Sequence, residues 1–143
     1  MIANLIVVAA TSLLVLVSIG MHFEVLRALS AKLPRSRLPR RFRVGLVIVV
    51  AVATHIAESL VFALGIGLLI QAGYGEIAGA DLNARDVVYF SITTYTSLGY
   101  GDLVPVGALR ILCGVEALTG LVLIAWTASF TYVEMQRYWR TED

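Results

Sequence analysis

The sequence predicts an all-α membrane protein with three transmembrane helices per chain and, between the second and third, a short re-entrant helix followed by a loop. Three observations lead there. The chain is 59% hydrophobic and 15% charged, with a mean hydropathy of +0.85, where soluble domains run at about 45–50% apolar and about 25% charged. It holds three long apolar runs, each reaching the roughly 20 residues needed to cross the hydrocarbon core. Seven of its eleven Lys and Arg residues (Arg27, Lys32, Arg35, Arg37, Arg40, Arg41 and Arg43) fall in one stretch without an acid. There is no internal repeat, and once the spans are counted 143 residues are expected to leave no room for a separate sensor domain. The single Cys113 excludes an intrachain disulfide and reads as a small buried hydrophobe.

Residues 1–28 form the N-terminal transmembrane helix. Residues 1–21 carry no Lys or Arg, so the basic segment of a secretory signal is missing, and no small-residue cleavage site is clear. Near the end of this helix stand His22, Glu24 and Arg27; the last two, three apart, read as an interfacial ion pair. Residues 29–43 form a basic loop broken by Pro34 and Pro39. An excess of Lys and Arg in a short loop sets orientation, which places this loop in the cytoplasm and the N-terminus outside. The segment Arg35–Arg43 also suits anionic lipid head groups. Residues 44–72 form the second span, about 43 Å long at about 1.5 Å per residue, which requires tilt or protrusion. His55 and Glu58 lie three apart on one of its faces, where lipid contact is costly, so both should face protein. They read either as a proton-sensitive pair or as a polar contact between helices or subunits; two ligands on one helix are too few for a metal site.

Gly73, Gly75 and Gly79 mark a turn-rich outer loop. Asn83, with Asp86 three residues on, caps a helix over 84–96. Being too short to span, that helix must re-enter, and irregular backbone at membrane depth survives only where protein or water surrounds it. After Gly107 the third span covers 108–136, and Arg137 and Arg140 mark 137–143 as a short cytoplasmic tail. Glu116 is a second buried carboxyl, one turn before Gly120, and a hydroxyl of Thr93 or Thr94 is its expected partner.

Between the short helix and the third span runs Thr93-Thr94-Tyr95-Thr96-Ser97-Leu98-Gly99-Tyr100-Gly101-Asp102-Leu103-Val104-Pro105. Gly99 and Gly101 reach backbone angles that let successive carbonyls point one way, which a helix or strand forbids. The run Thr96 to Asp102 resembles the signature of the potassium-channel pore family, Thr-Val-Gly-Tyr-Gly-Asp after a short pore helix. In that family, as is established for such filters, four strands replace an ion's hydration shell with backbone carbonyls. The resemblance implies a pore domain over 44–136, with outer helix 44–72, pore helix 84–96, filter 97–101 and inner helix 108–136. It implies a homotetramer with the extra N-terminal helix at the periphery, and potassium ions held at Ser97, Leu98, Gly99, Tyr100 and Gly101. Thr93, Thr94, Thr96 and Asp102 would support the filter, with Tyr89 and Phe90 as an aromatic cuff. Gly120 falls where the family's inner helix has a hinge, or else it allows close packing; Leu121, Ile124 and Ala128 would line the inner cavity. Coupled to gating, His55 and Glu58 would change open probability between about pH 5 and 8, where histidine titrates. Two positions depart from the family: Ser97 replaces Thr, losing the methyl that stiffens the rotamer, and Leu98 replaces Val and should point back into the protein.

The expected function is passive, potassium-selective conduction across a membrane, bacterial inner (plasma) membrane by the resemblance. A non-selective monovalent cation channel and a non-conducting subunit assembling with other channels are the alternatives. An enzyme is excluded for want of parts: no nucleophile beside a base, no phosphate loop, no cluster of metal ligands. No cofactor is expected beyond potassium ions in the filter. No nucleic acid is expected, since the basic cluster abuts two spans. Residues 73–110 hold Glu76, Asp81, Asp86 and Asp102 against Arg85 and Arg110, a net −2 per chain that would concentrate cations at the mouth. The orientation is testable by labelling Ser36→Cys with a membrane-impermeant thiol reagent in intact cells: no labelling is expected, and rapid labelling overturns the three-span topology.

Overall fold

The computed structural model describes residues 2–79 and 83–139. Asp81, Arg140 and most of the 137–143 tail lie outside the described residues. Four helices carry the fold: α1 (Ile2–Lys32), α2 (Arg40–Gln71), α3 (Ala84–Tyr95) and α4 (Leu109–Trp139). Helices α1, α2 and α4 are each long and apolar enough to cross a membrane. Helix α3 has 12 residues, about 18 Å at 1.5 Å per residue, and is too short to span. It packs against α2 and α4, while α1 packs against α2 and α4.

The surface pattern reverses that of a soluble bundle. On α1 the buried positions include Thr11, Ser18 and His22, while Leu5, Leu13 and Leu16 are more than half exposed. On α2, Thr54, Glu58 and Ser59 are buried while Val49, Val52, Leu64 and Leu68 are exposed. Apolar groups outside and polar groups against neighbouring helices are what a lipid solvent selects.

The expected basic loop over 29–43 is much shorter in the structure. Helix α1 continues to Lys32, a 3-10 turn covers Leu33–Arg35, and α2 starts at Arg40 with Pro39 as its N-cap. Pro34 starts the 3-10 turn rather than breaking a loop, and Lys32 in the last turn of α1 complements the negative end of the helix dipole. The remaining linker is held by its own side chains. Arg43 donates from Nε to the Leu38 carbonyl at 2.9 Å and from Nη2 to the Ser36 carbonyl at 2.8 Å. Arg35 donates to the Ala31 carbonyl at 3.3 Å. Arg27 donates to Glu24 as expected, at 2.9 Å from Nε.

The loop before α3 also has more order than its glycines suggest. Glu76–Ala78 (β1) pairs antiparallel with Val104–Val106 (β2), in the register Glu76 to Val106 and Ala78 to Val104. Gly79 has φ +91, and a Cβ there would overlap the Asp102 carbonyl, so only glycine lets the two segments approach. Asn83 caps α3 as expected: its Oδ1 accepts from Asp86 N at 3.0 Å, and its Nδ2 donates to Asp86 Oδ2 at 2.8 Å.

The core gathers Phe62, Ile66 and Leu69 of α2, Val87, Phe90 and Tyr95 of α3, Leu109, Leu112 and Cys113 of α4, and Val7 of α1. Gly120 sits at the tightest helix crossing, because a Cβ there would collide with the Tyr95 carbonyl and ring. It is therefore a close-packing glycine. Gly120→Ala is expected to lower stability by about 1–3 kcal/mol, the range for overpacking a filled core, seen as a reduced melting temperature of the purified protein. A glycine serving only to bend the helix would instead gain about 1 kcal/mol of helix propensity on the same change, and a raised melting temperature would show it.

Candidate functional site

The C-terminal end of α3 determines the course of residues 96–102. Once the helix ends at Tyr95, its last carbonyls capture the chain that follows: Ser97 N donates to the Thr94 carbonyl at 2.9 Å, and Leu98 N and Gly99 N both donate to the Thr93 carbonyl, at 2.9 and 3.1 Å. Ser97, Gly99 and Gly101 have φ of +58, +44 and +82, whereas Leu98 and Tyr100 do not have positive φ. The sign of φ thus alternates along five residues. Ser97 is the one non-glycine among the described residues in the left-handed region, a conformation that costs about 1–2 kcal/mol for an L-residue and calls for a reason.

The far end of this segment is tied to α3 by side chains. Tyr89 Oη donates to Asp102 Oδ2 at 3.0 Å, and the Tyr89 and Tyr100 rings stack with centroids 6.4 Å apart and an interplanar angle of 3°. Of the expected supports, Tyr89, Asp102 and the carbonyls of Thr93 and Thr94 reach the segment. Phe90 does not: one residue on from Tyr89 it faces the opposite way, 4% exposed in the core. The hydroxyls of Thr93 and Thr96 turn back on α3, to the Phe90 carbonyl at 3.0 Å and the Ile92 carbonyl at 2.8 Å. Leu98, expected to point into the protein, is 56% exposed, and all of residues 97–101 are exposed in the single chain. Leu121, Ile124 and Ala128 are exposed on α4, while Gly120 beside them is buried.

Behind α3 lie two buried polar clusters. Ser91 Oγ is 2.6 Å from the Ser59 carbonyl and 2.5 Å from Glu116 Oε1. Ser91 has one hydroxyl proton, which it can donate to the Ser59 carbonyl or to Glu116 Oε1. Glu116 Oε2 has no partner among the described residues. The expected partners Thr93 and Thr94 are corrected to Ser91, whose position on α3 faces α4 and α2 together.

In the second cluster Glu58 is fully buried. Its Oε1 accepts from His22 Nδ1 at 2.8 Å, and its Oε2 lies 3.0 Å from His55 Nδ1 and accepts from the Tyr95 hydroxyl. His55 Nδ1 is also 3.0 Å from Tyr95 Oη. The outer ring nitrogens converge on one hydroxyl: Thr127 Oγ1 is 3.0 Å from His55 Nε2 and 3.3 Å from His22 Nε2. One closed network thus joins all four helices. His22, Tyr95, Ser91 and Thr127 were not singled out for these roles from the sequence. The signal for His22 was available: it lies fifteen residues after Val7 and four before Leu26, on the same buried stripe of α1.

A pattern describing the ion channel family matches residues 46–137. Over 53 residues the chain is 40% identical to the inward rectifier potassium channel Kirbac3.1 of Paramagnetospirillum magnetotacticum, a match covering 36% of this chain and 18% of that protein. No solved structure gives a significant match. The family match takes in α2, α3, the five residues of alternating φ and α4. The chain is an integral membrane protein that belongs to the ion channel family, with the potassium-channel type of pore unit that its sequence resembles.

Proposed function

We propose that the chain forms a homotetrameric, potassium-selective pore in which residues 97–101 of four copies line the axis. The observation that carries this reading is the alternation of φ at Ser97, Gly99 and Gly101 on a segment exposed along its whole length. Alternating handedness turns successive peptide groups toward one side, and carbonyls so turned suit a dehydrated monovalent cation. Four copies would cover the exposed Leu98 and Tyr100 side chains against neighbouring subunits, so that Leu98 reaches protein after all, though not its own. The carbonyl end of α3 would point at the axis and favour a cation there. The strain at Ser97 fits such a site, since its hydroxyl adds an oxygen at the inner end.

Glu76, Asp86 and Asp102 would place negative charge at the mouth, and the Kirbac3.1 likeness supports potassium as the ion. Orientation follows from the basic residues at the α1–α2 turn, which favour the cytoplasmic side. Arg35 and Arg43 already donate to linker carbonyls, and the segment Arg35–Arg43 would still suit anionic head groups by its charge.

Purified protein in liposomes tests the function. Reversal potentials in mixed potassium and sodium should follow potassium, and Gly99→Ala, which puts a side chain at φ +44, should cut potassium flux at least tenfold while the tetramer persists on a sizing column. Equal permeability to both ions would make the pore non-selective, absent flux would make the chain a non-conducting subunit, and undiminished selective flux in Gly99→Ala would remove the filter assignment.

A further inference from the structure

The geometry points to a binding site for one divalent transition-metal ion of the zinc class, formed by His22, His55 and Glu58 inside the helix bundle. One ligand atom from each residue lies within 4.8 Å of the other two. The ligands come from two helices, so the site exists only when α1 docks on α2. Nδ1 of His22 and Nδ1 of His55 stand 2.8 and 3.0 Å from the two carboxylate oxygens. Ligand atoms about 2.0–2.1 Å from a tetrahedral zinc ion are about 3.3 Å apart, so each of these two nitrogen–oxygen separations would open by about 0.3–0.5 Å to admit an ion.

The outer shell supports the assignment independently. Imidazoles that hold a metal through one nitrogen donate the other N–H to a fixed acceptor. Both Nε2 atoms here face the same oxygen, Thr127 Oγ1, which has two lone pairs to receive them. With an ion at both Nδ1 atoms, each ring would carry its proton at Nε2 and donate it to Thr127 Oγ1. The Tyr95 hydroxyl on Glu58 Oε2 orients the carboxylate in the same way.

Two imidazoles and one carboxylate without a thiolate suit zinc, and disfavour the all-oxygen cations calcium and magnesium. Among the described residues Glu58 has no Lys or Arg beside it, only the two histidines, so a divalent ion would offset its buried charge. Tyr95 Oη borders the remaining coordination position, at 3.0 Å from His55 Nδ1. His55 is partly exposed, at 18%, which leaves one side of the site open. A bound ion would clamp the N-terminal helix to the pore unit directly behind the end of α3. This inference does not depend on which ion the pore conducts.

The test uses the full chain purified in detergent, stripped with a chelator and dialysed against zinc, with metal measured by elemental analysis. One zinc per chain is expected, together with a raised melting temperature. Cobalt in place of zinc should give the intense visible absorption of a tetrahedral site. His22→Ala should lose both signals, His22→Cys should keep them because a thiolate also ligates zinc, and Thr127→Val should weaken zinc binding about 10- to 100-fold, as loss of an outer-shell partner does. If the variants do not fold, the wild type decides alone: saturable uptake of one ion with the tetrahedral cobalt spectrum supports the site. No saturable uptake, or uptake that His22→Ala and His55→Gln both leave unchanged, overturns it and leaves a hydrogen-bonded histidine–carboxylate cluster.

Discussion

The fold hangs on the fixing of the last residue of α3. Tyr95 is held at three points: its carbonyl lies against Gly120 of α4, its ring is 1% exposed in the core, and its hydroxyl donates to Glu58 of α2. These contacts come from two helices, α4 and α2, so the residue can neither rotate nor slide without breaking one. The chain that leaves it has no regular ladder of its own, and the amides of residues 97–99 are satisfied only by the carbonyls of Thr93 and Thr94. Irregular backbone at membrane depth is tolerated only under such conditions. The placement of an exposed, strained segment therefore rests on the buried end of the helix before it.

The same constraint explains why the polar residues are where they are. In a lipid solvent the hydrophobic effect does not drive helices together, and hydrogen bonds and close approach do more of the work. Glu58 and Glu116 are fully buried, and each brings the end or the middle of α3 into register with two spanning helices. Replacing either by an apolar residue would leave its former partners unpaired inside the bundle, which is costlier than the loss of the bond itself.

Much of this was legible in the sequence, because spans, caps and the filter signature are local signals. The Asn83 cap, the three apolar helices and the Glu24–Arg27 pair follow from residues within a few positions of one another. The misreadings concern side-chain direction and partners far along the chain. Taking the first helix to end at residue 28 left His22 near the interface; the helix runs to Lys32, and His22 lies well inside with Glu58 and Thr127. Ser91 rather than Thr93 or Thr94 meets Glu116 because successive positions on a helix turn by about 100°, and Thr93 finds its acceptor on its own helix. Phe90 and Tyr89, adjacent in sequence, divide between the core and the segment after α3 for the same reason. The basic loop shortened because prolines at positions 34 and 39 serve as helix starts as readily as helix breaks.

The pairing of β1 with β2 has a consequence for the entropy of the chain. Ala78 opposite Val104 closes residues 79–103 into a loop that contains all of α3 and the five residues after it. The closure cost of such a loop depends only weakly on its length, and three residue pairs, with Gly79 set against Asp102, meet it away from the segment itself. The five residues of alternating φ thus lie inside a tethered loop whose two ends move as one, and a displacement of the strand leaving residue 101 must carry with it the approach to α3.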